Sequence, residues 1–171
     1  GGHKNWSMNG TAPATVQINV PSSPLQTLHY VFRAADAAGN WNQTGQNDVT
    51  VVDDDAPGLG ADTTPSAGTT GDTFTFSVQV WDNIGVVEVR VEFWFGAGAH
   101  SNWSMNGTAP ATLQMSLPSG STAQLHYIFH VVDAGGNWAA TTRKDVTVTD
   151  NDMPAFGSDT TPLTATTGDG F

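Results

Sequence analysis

The sequence contains no cysteine among its 171 residues, and it has only five lysines and arginines. Without cysteine the chain cannot form disulfide bonds or a zinc or iron–sulfur site built from thiolates. Sixteen aspartates and glutamates leave a formal net charge of −11. A chain so acidic is poorly suited to bind a phosphate backbone, so we exclude nucleic acid as a partner.

Long apolar runs are also lacking. No stretch approaches the roughly 18 apolar residues of a membrane-spanning helix, so we expect no membrane span in this segment. The sequence shows no sustained helical periodicity, and it carries no nucleophile-elbow, zincin, phosphate-loop or dinucleotide-binding motif. We therefore expect a protein that is not an enzyme.

The most informative feature that is present is an internal repeat. Residues 1–74 align with residues 98–171 without a gap, and Asn5 to Pro13 recurs letter for letter as Asn102 to Pro110. The period is 102 − 5, or 97, residues, which is about the length of one β-sandwich domain. We predict the C-terminal part of one repeat in residues 1–57, a complete repeat in 58–154, and the start of a further repeat, or a donated strand, in 155–171.

Alternating apolar residues predict strands throughout the complete repeat. Phe74 to Val80 alternates with polar residues, and Val87 to Phe95 does so again after the turn that begins at Asp82. Further strands are expected around Trp103, Leu113 to Leu117, Leu125 to Val131, and Val146 to Val148. The fold class is therefore all-β, with about seven strands per repeat. In the earlier copy the corresponding inward positions are Val16, Ile18, Val20, Leu28, Tyr30, Phe32, Ala34, Val49 and Val51.

One motif allows a family resemblance to be named. Tyr30 to Asn40 and Tyr127 to Asn137 both read Tyr-x-Phe-x-x-x-Asp-Ala-x-Gly-Asn. This motif resembles the penultimate strand and following turn of immunoglobulin-like repeats, of the cadherin-like or PKD-like kind, in bacterial and archaeal surface proteins. The resemblance implies tandem immunoglobulin-like β-sandwiches at the cell surface or outside the cell. Such sandwiches serve as stalks, adhesins, spacers and sugar-binding modules, so the resemblance specifies the fold better than the function.

Acidic residues at the repeat boundaries predict a calcium site. Asp53-Asp54-Asp55-Ala56-Pro57 recurs as Asp150-Asn151-Asp152-Met153-Pro154. In the usual strand order the end of one repeat meets two turns of the next, and Ca²⁺ prefers six to eight oxygen ligands. This arrangement resembles the linkers of cadherins. The alternative is that each Asp or Asn only caps its own turn. The candidate calcium ligands are Asp53, Asp55, Asp82, Asn83, Asp133, Asn137, Asp150 and Asp152.

Five Asn-x-Ser/Thr sequons exceed the number expected by chance, although the repeat counts two of them twice. In a secreted protein of an organism with the necessary enzymes, sequons accept N-linked glycans; the alternative is unmodified Asn in polar loops. The candidate glycosylation sites are Asn5, Asn9, Asn42, Asn102 and Asn106.

The histidines and tryptophans raise two other possibilities for binding. His126 and His130 are four residues apart, which on a strand separates them by roughly 13 Å, so they cannot share one ion and we predict that both are solvated. Trp81 and Trp94 fall on the polar phase of their strands. Exposed tryptophan stacks on sugar rings, whereas the other interpretation is that these residues cover a sheet or contact a neighbouring repeat.

These observations predict an extracellular structural protein that forms a stalk, surface layer or fibril. Its junctions would be stiffened by Ca²⁺, and its flanks would carry N-linked glycans. Its main partner would be further copies of itself, in a longer chain or in a linear polymer. The strands that the first copy lacks would come from continuing chain or from the next subunit. The alternative function is a carbohydrate-binding or adhesin module that uses exposed tryptophan.

Overall fold

A computed structural model describes residues 2–161, 163–164 and 166–168. The regular secondary structure of these residues is all-β, as expected, and none of them belongs to a helix that could span a membrane. The strands are β1 Leu28–Tyr30, β2 Arg33–Ala35, β3 Trp41–Gln43, β4 Asn47–Val49, β5 Gly58–Asp62, β6 Ala67–Thr69, β7 Thr73–Trp81, β8 Val86–Phe95, β9 Ser101–Ser104, β10 Ala111–Ser116, β11 Leu125–Asp133, β12 Trp138–Ala140 and β13 Lys144–Thr149.

Strands β5 to β13 form two sheets. The smaller sheet has the order β10-β7-β5, and the larger has the order β6-β13-β11-β8-β9, with β12 added on β11. Only β6 and β13 pair in parallel. The central ladder joins β8 to β11 in antiparallel register from Leu125 opposite Phe95 to Asp133 opposite Val86. This arrangement is that of a β-sandwich.

Aromatic side chains fill the space between the two sheets. Phe76 of β7 is fully buried, and its ring centroid lies 5.7 Å from that of Phe93 and 5.3 Å from that of Tyr127. Phe129 completes the group with an edge-to-face contact at 6.4 Å. Edge-to-face pairs bring the positive ring edge to the negative ring face, so they stabilise the core beyond the area they bury. The other buried apolar residues are Phe74, Val78, Val80, Val89, Val91, Met105, Ala111, Leu117, Leu125, Val131, Val146 and Val148.

Two details of the strand prediction were wrong. Residues 58–154 contain nine strands rather than about seven, because β5, β6 and the short β12 come in addition to the six strands that the alternation located. Val87 was expected inside but is 68% exposed. The ladder pairs Val132 with Glu88 and Asp133 with Val86, so Val87 is the extra residue of a β-bulge and points outward.

The first copy has the local structure of its sister without the core. Strands β1 and β4 pair with each other, as do β2 and β3, but no residue between 2 and 56 is buried. The amide of Phe32 donates to Thr44 Oγ1 at 3.0 Å, and the amide of Phe129, which is 97 residues further on, donates to Thr141 Oγ1 at the same distance. Local hydrogen bonds therefore recur at the period of the sequence.

The inward positions expected in the first copy are not buried in the structure. Phe32 is 45% exposed, whereas Phe129 is 0% exposed. The reason is that β7 and β8 cover Phe129, and the described residues place no comparable strands over Phe32. The apolar pattern of residues 16–51 therefore predicted which face of the chain is apolar, but not that this face is covered.

We expect Phe129→Ala to lower the free energy of unfolding by about 3–5 kcal/mol, because it leaves a cavity where the two sheets meet. Phe32→Ala is the matched control and should cost less than about 1 kcal/mol, since an exposed side chain leaves no cavity. Denaturant unfolding monitored by tryptophan fluorescence measures both values. Equal costs would show that the first copy has a packed core of its own.

Candidate metal centre

Three carboxylates from separate parts of the chain meet at one end of the sandwich. Asp53 lies in the linker between β4 and β5, Asp82 in the turn between β7 and β8, and Asp133 at the end of β11. One oxygen atom of each carboxylate lies within 4.8 Å of the other two. The linker thus meets the two turns that the strand order placed at this end. We call Asp53, Asp82 and Asp133 the acidic cluster.

Two asparagine side chains hold the linker against these turns. Asn137 Nδ2 donates to the carbonyl oxygen of Asp53 at 3.3 Å and to that of Asp55 at 3.1 Å. Asn83 Nδ2 donates to the carbonyl oxygen of Ser22 at 2.8 Å and to Asp53 Oδ1 at 3.4 Å. Both amides therefore turn their nitrogen atoms toward the linker. In this arrangement they position the acidic cluster and do not point an oxygen into it.

The turn after β7 fixes Asp82. Asp82 Oδ1 accepts hydrogen bonds from the backbone N–H groups of Ile84 and Gly85, each at 2.8 Å. An aspartate that bonds the backbone two residues ahead is typical of tight turns. The carbonyl oxygen of Gly85 in turn accepts from the amide of Ala134 at 2.9 Å. This bond ties the Asp82 turn to the turn that follows Asp133.

Asp133 is the most deeply placed member of the cluster, with only 2% of its surface exposed. Asp133 Oδ1 accepts from the Asn137 amide at 2.9 Å, and Asp133 Oδ2 accepts from Asn137 Nδ2 at 3.0 Å. Burial by itself would raise the pKa of Asp133, but the hydrogen bonds from Asn137, Gly135 and Gly136 outweigh it and lower the pKa below its ordinary value of 3.8. Asp133 is therefore held in its charged form.

Within the acidic cluster, Asp53 Oδ2 is a buried oxygen that has no hydrogen bond. Its neighbour Asp53 Oδ1 accepts from the amide of Asp55 at 3.3 Å. No lysine, arginine or histidine among the described residues forms an ion pair with the acidic cluster. Buried carboxylate oxygens normally have a donor or a cation as partner, and like charges at short range repel.

A glycine lets the linker come this close. A Cβ atom added at Gly135 would lie 2.9 Å from Asp53 Cβ and 3.0 Å from Asp53 Oδ2, which is too close for ordinary contact. The equivalent residue of the first copy is Ala38, at 135 − 97. Sequence reasoning missed Gly135. The difference between Gly135 and Ala38 in otherwise matching turns is the signal that could have found it.

The other candidate calcium ligands lie elsewhere. The side chain of Asp55 is exposed, and Asp55 contributes only its carbonyl oxygen to Asn137. Asp150 and Asp152 lie at the other end of β7, where both accept from Thr70 Oγ1, at 2.9 Å and 3.2 Å. The structure thus brings three of the eight candidates together, and two more, Asn83 and Asn137, donate hydrogen bonds beside them.

The five sequon asparagines are all exposed, as glycan attachment requires. Asn9 and Asn106 occupy matching places: the amide of Asn9 donates to the Thr15 carbonyl, and that of Asn106 donates to the Thr112 carbonyl, each at 2.8 Å. Both loops therefore have the same backbone pairing.

The prediction that His126 and His130 are solvated was wrong. His126 is 9% exposed, because Trp94 packs beside the histidine ring. The His126 Nδ1 atom lies 2.6 Å from Asp145 Oδ1. His130 is half-buried, and its Nε2 atom lies 2.9 Å from Glu92 Oε2. Carboxylates on neighbouring strands, which the spacing along one strand does not reveal, pair with both rings.

Five of the six tryptophans, all but Trp94, are exposed, and contacts within the chain cover part of three of the rings. Trp81 covers Gly58 and Gly60, where an added Cβ would lie within 2.6 Å of its ring. Trp94 is stacked on the His100 ring at 4.0 Å, which covers one of its faces. Trp103 pairs with Val91 on the inward face of the larger sheet and contacts Phe93 edge-on at 5.2 Å. Stacking on a row of sugars needs neighbouring rings with open faces. The exposure of five tryptophans favours the sugar-binding alternative, whereas the contacts of Trp81, Trp94 and Trp103 within the chain count against it.

Comparison with known proteins identifies no family. No family model matches the chain, and no curated protein matches it. Among solved structures, the chain is similar to the PKD domain of an M14-like peptidase from a Thermoplasmatales archaeon, with 14% sequence identity and a TM-score of 0.34. That similarity covers 54% of this chain and 92% of the other. Family membership does not follow from a similarity of this size.

The lowered pKa of Asp133 predicts how stability depends on pH. Because its pKa in the folded state lies below the unfolded value, Asp133 stabilises the fold above about pH 4, and this contribution is lost as the pH falls through the folded value. The difference in unfolding free energy between the native chain and Asp133→Asn should therefore shrink on acidification. Denaturant titrations at several pH values measure it. Asp54→Asn, in the exposed part of the linker, is the control, and an equally steep change there would contradict the assignment.

Proposed function

We propose that this chain is part of an extracellular structural protein whose β-sandwich repeats are joined by Ca²⁺-stiffened linkers. The observation that supports the proposal most directly is the buried Asp53 Oδ2 atom, which has no donor and belongs to a carboxylate grouped with two others. A divalent cation would neutralise this charge and supply the missing partner.

The chemistry of the acidic cluster favours Ca²⁺ over other ions. All three side chains offer carboxylate oxygen, and neither His nor Cys takes part, which excludes the ligands preferred by zinc and copper. Ca²⁺ accepts six to eight oxygens in flexible geometry, so it tolerates ligands from three separate segments and water. Mg²⁺ demands a nearly ideal octahedron and keeps most of its waters.

The position of the cluster suggests what the ion would do. Asp53 belongs to the linker that follows the first copy, whereas Asp82 and Asp133 belong to the complete sandwich. An ion held by all three would join the linker to the turns of the sandwich and limit bending between them. Without the ion, the three charges would repel and loosen the same junction. The function is mechanical, and it includes no step of chemistry.

The remaining surface is consistent with this role. The net charge of −11 and the five exposed sequons suit a stalk, fibril or surface layer that is hydrated and glycosylated. The partner that we propose is another copy of the repeat, in one longer chain or in a linear polymer. The reason is the 97-residue period, because like modules that follow one another stack into an array.

Calcium should raise the melting temperature of the chelator-treated chain, because an ion that binds only the folded form stabilises it by mass action. At a free concentration of 100 times Kd the stabilisation amounts to about 2.7 kcal/mol. Asp53→Asn should reduce this shift strongly while it leaves the sandwich core intact. Differential scanning fluorimetry or calorimetry measures the melting temperatures.

Asp150→Asn is the matched control for the calcium experiment. Asp150 is the repeat partner of Asp53, but it bonds Thr70 and lies outside the acidic cluster. It should leave the calcium-induced shift unchanged. A melting temperature that does not respond to millimolar Ca²⁺, or a response that Asp53→Asn leaves intact, would refute the calcium site.

Glycans are expected on Asn5, Asn9, Asn102 and Asn106, since these sequons are exposed at matching places in both copies. Peptide mapping by mass spectrometry of protein from its native source should find added sugar mass on each of them. Enzymatic removal of N-glycans should convert the occupied Asn to Asp and add about one mass unit at each site. Four unmodified asparagines in native material would disprove this expectation.

A further inference from the structure

The first copy presents an apolar face that its sister keeps covered. Val16, Ile18, Val20, Tyr30, Phe32 and Val49 are all exposed, and we call them the acceptor face. Their repeat partners, at 97 residues further on, are Leu113, Met115, Leu117, Tyr127, Phe129 and Val146. Four of those partners, from Leu117 to Val146, are among the most buried residues of the chain, and the other two pack against the core.

The sister copy also shows what covers such a face. Strand β8 pairs with β11, and β7 pairs with β10, so one continuous segment, residues 73–95, contacts both parts of the face. The segment has alternating apolar residues and passes from one sheet to the other, because β7 belongs to the smaller sheet and β8 to the larger. We call residues 73–95 the β7–β8 segment. Within the complete sandwich this segment is already used, so another copy of it is needed to cover the acceptor face.

We propose that the acceptor face is a docking site for a second β7–β8 segment, with one of its strands joining each sheet. The pairing of the complete sandwich, shifted by 97 residues, gives its register. Tyr127 lies opposite Phe93 and Phe129 opposite Val91, so Tyr30 would lie opposite the second Phe93 and Phe32 opposite the second Val91. On the other sheet, Leu113 lies opposite Phe76, so Val16 would lie opposite the second Phe76.

Two features of the acceptor face fit this occupant. Local hydrogen bonds hold the acceptor strands in the form that the covered copy has: His29 Nδ1 lies 2.6 Å from Asp48 Oδ1, as His126 Nδ1 does from Asp145 Oδ1. Strand β1 pairs only with β4 among the described residues, which leaves open the edge that β8 takes on β11. An open edge beside an apolar face is the usual site for strand addition. The proposal extends the proposed function and rests on the repeat, not on the ion.

A fusion tests the docking site in the full chain. Residues 73–97 are added directly ahead of residue 1, which reproduces the order in which residue 98 follows residue 97 in the complete repeat. Backbone amides of residues 28–34 should then exchange with solvent about tenfold more slowly or better, because they gain strand partners and burial. Hydrogen–deuterium exchange with mass spectrometry measures this.

Two neighbouring substitutions provide a matched control. Phe32→Asp in the fusion should abolish the added protection, because it places a charge inside the new interface. Val31→Asp should leave it, because the repeat partner of Val31 is Ile128, which points to the outer face of its strand. Equal effects of the two changes, or no added protection in the unaltered fusion, would overturn the proposal.

Disulfide trapping tests the register, and it is clean because the chain has no cysteine of its own. Phe32→Cys should cross-link with Val91→Cys placed in the added β7–β8 segment, since directly opposed residues bring their Cβ atoms within disulfide reach. Val31→Cys with the same segment should not. Cross-linking that is equal in both pairs would overturn the register. Dimers that form through the acceptor face of the unfused chain, and that the added β7–β8 segment fails to disrupt, would show that a second whole chain is the occupant and overturn the proposal.

Discussion

The structure depends on one requirement: an apolar sheet face must be covered by a second sheet. In residues 58–149 the two sheets meet around Phe76, Phe93, Tyr127 and Phe129, and the aromatic contacts between β7 and the larger sheet exclude water from the centre. Where the cover is present the strands are up to ten residues long; in the first copy each is three residues long. Burial of apolar area, rather than strand propensity, therefore decides how far each strand extends.

The acidic cluster is a consequence of this packing. Asp82 and Asp133 lie at the same end of the sandwich because β7, β8 and β11 pack together and their turns come out side by side. The linker joins them through Asn83 and Asn137, whose amide nitrogens bond its backbone and its first carboxylate. The rigid core thus holds two charges in place, and the linker brings the third.

Histidine–carboxylate contacts on the outer face of the larger sheet have a different role. His126 with Asp145, and His100 and His130 with Glu92, join neighbouring strands across the larger sheet. The hydrogen bond from His100, with that from His130, lowers the pKa of Glu92, and the bond from His126 lowers the pKa of Asp145. These contacts add links between neighbouring strands on the face that is not apolar, and they give His100, His126 and His130 a structural role.

The sequence alone determined the all-β class, the 97-residue period, the apolar face of β7 and the turns that carry Asp82 and Asp133, because these follow from side-chain alternation and turn chemistry within a few residues. Only the tertiary structure decided the rest. The bulge that turns Val87 outward, the pairing of His126 with Asp145, and the space that Gly135 leaves for Asp53 all depend on strands far apart in the chain. Whether an apolar residue is buried depends likewise on a partner: Phe32 and Phe129 have the same local sequence pattern and the same backbone hydrogen bonds, and only Phe129 has a second sheet above it.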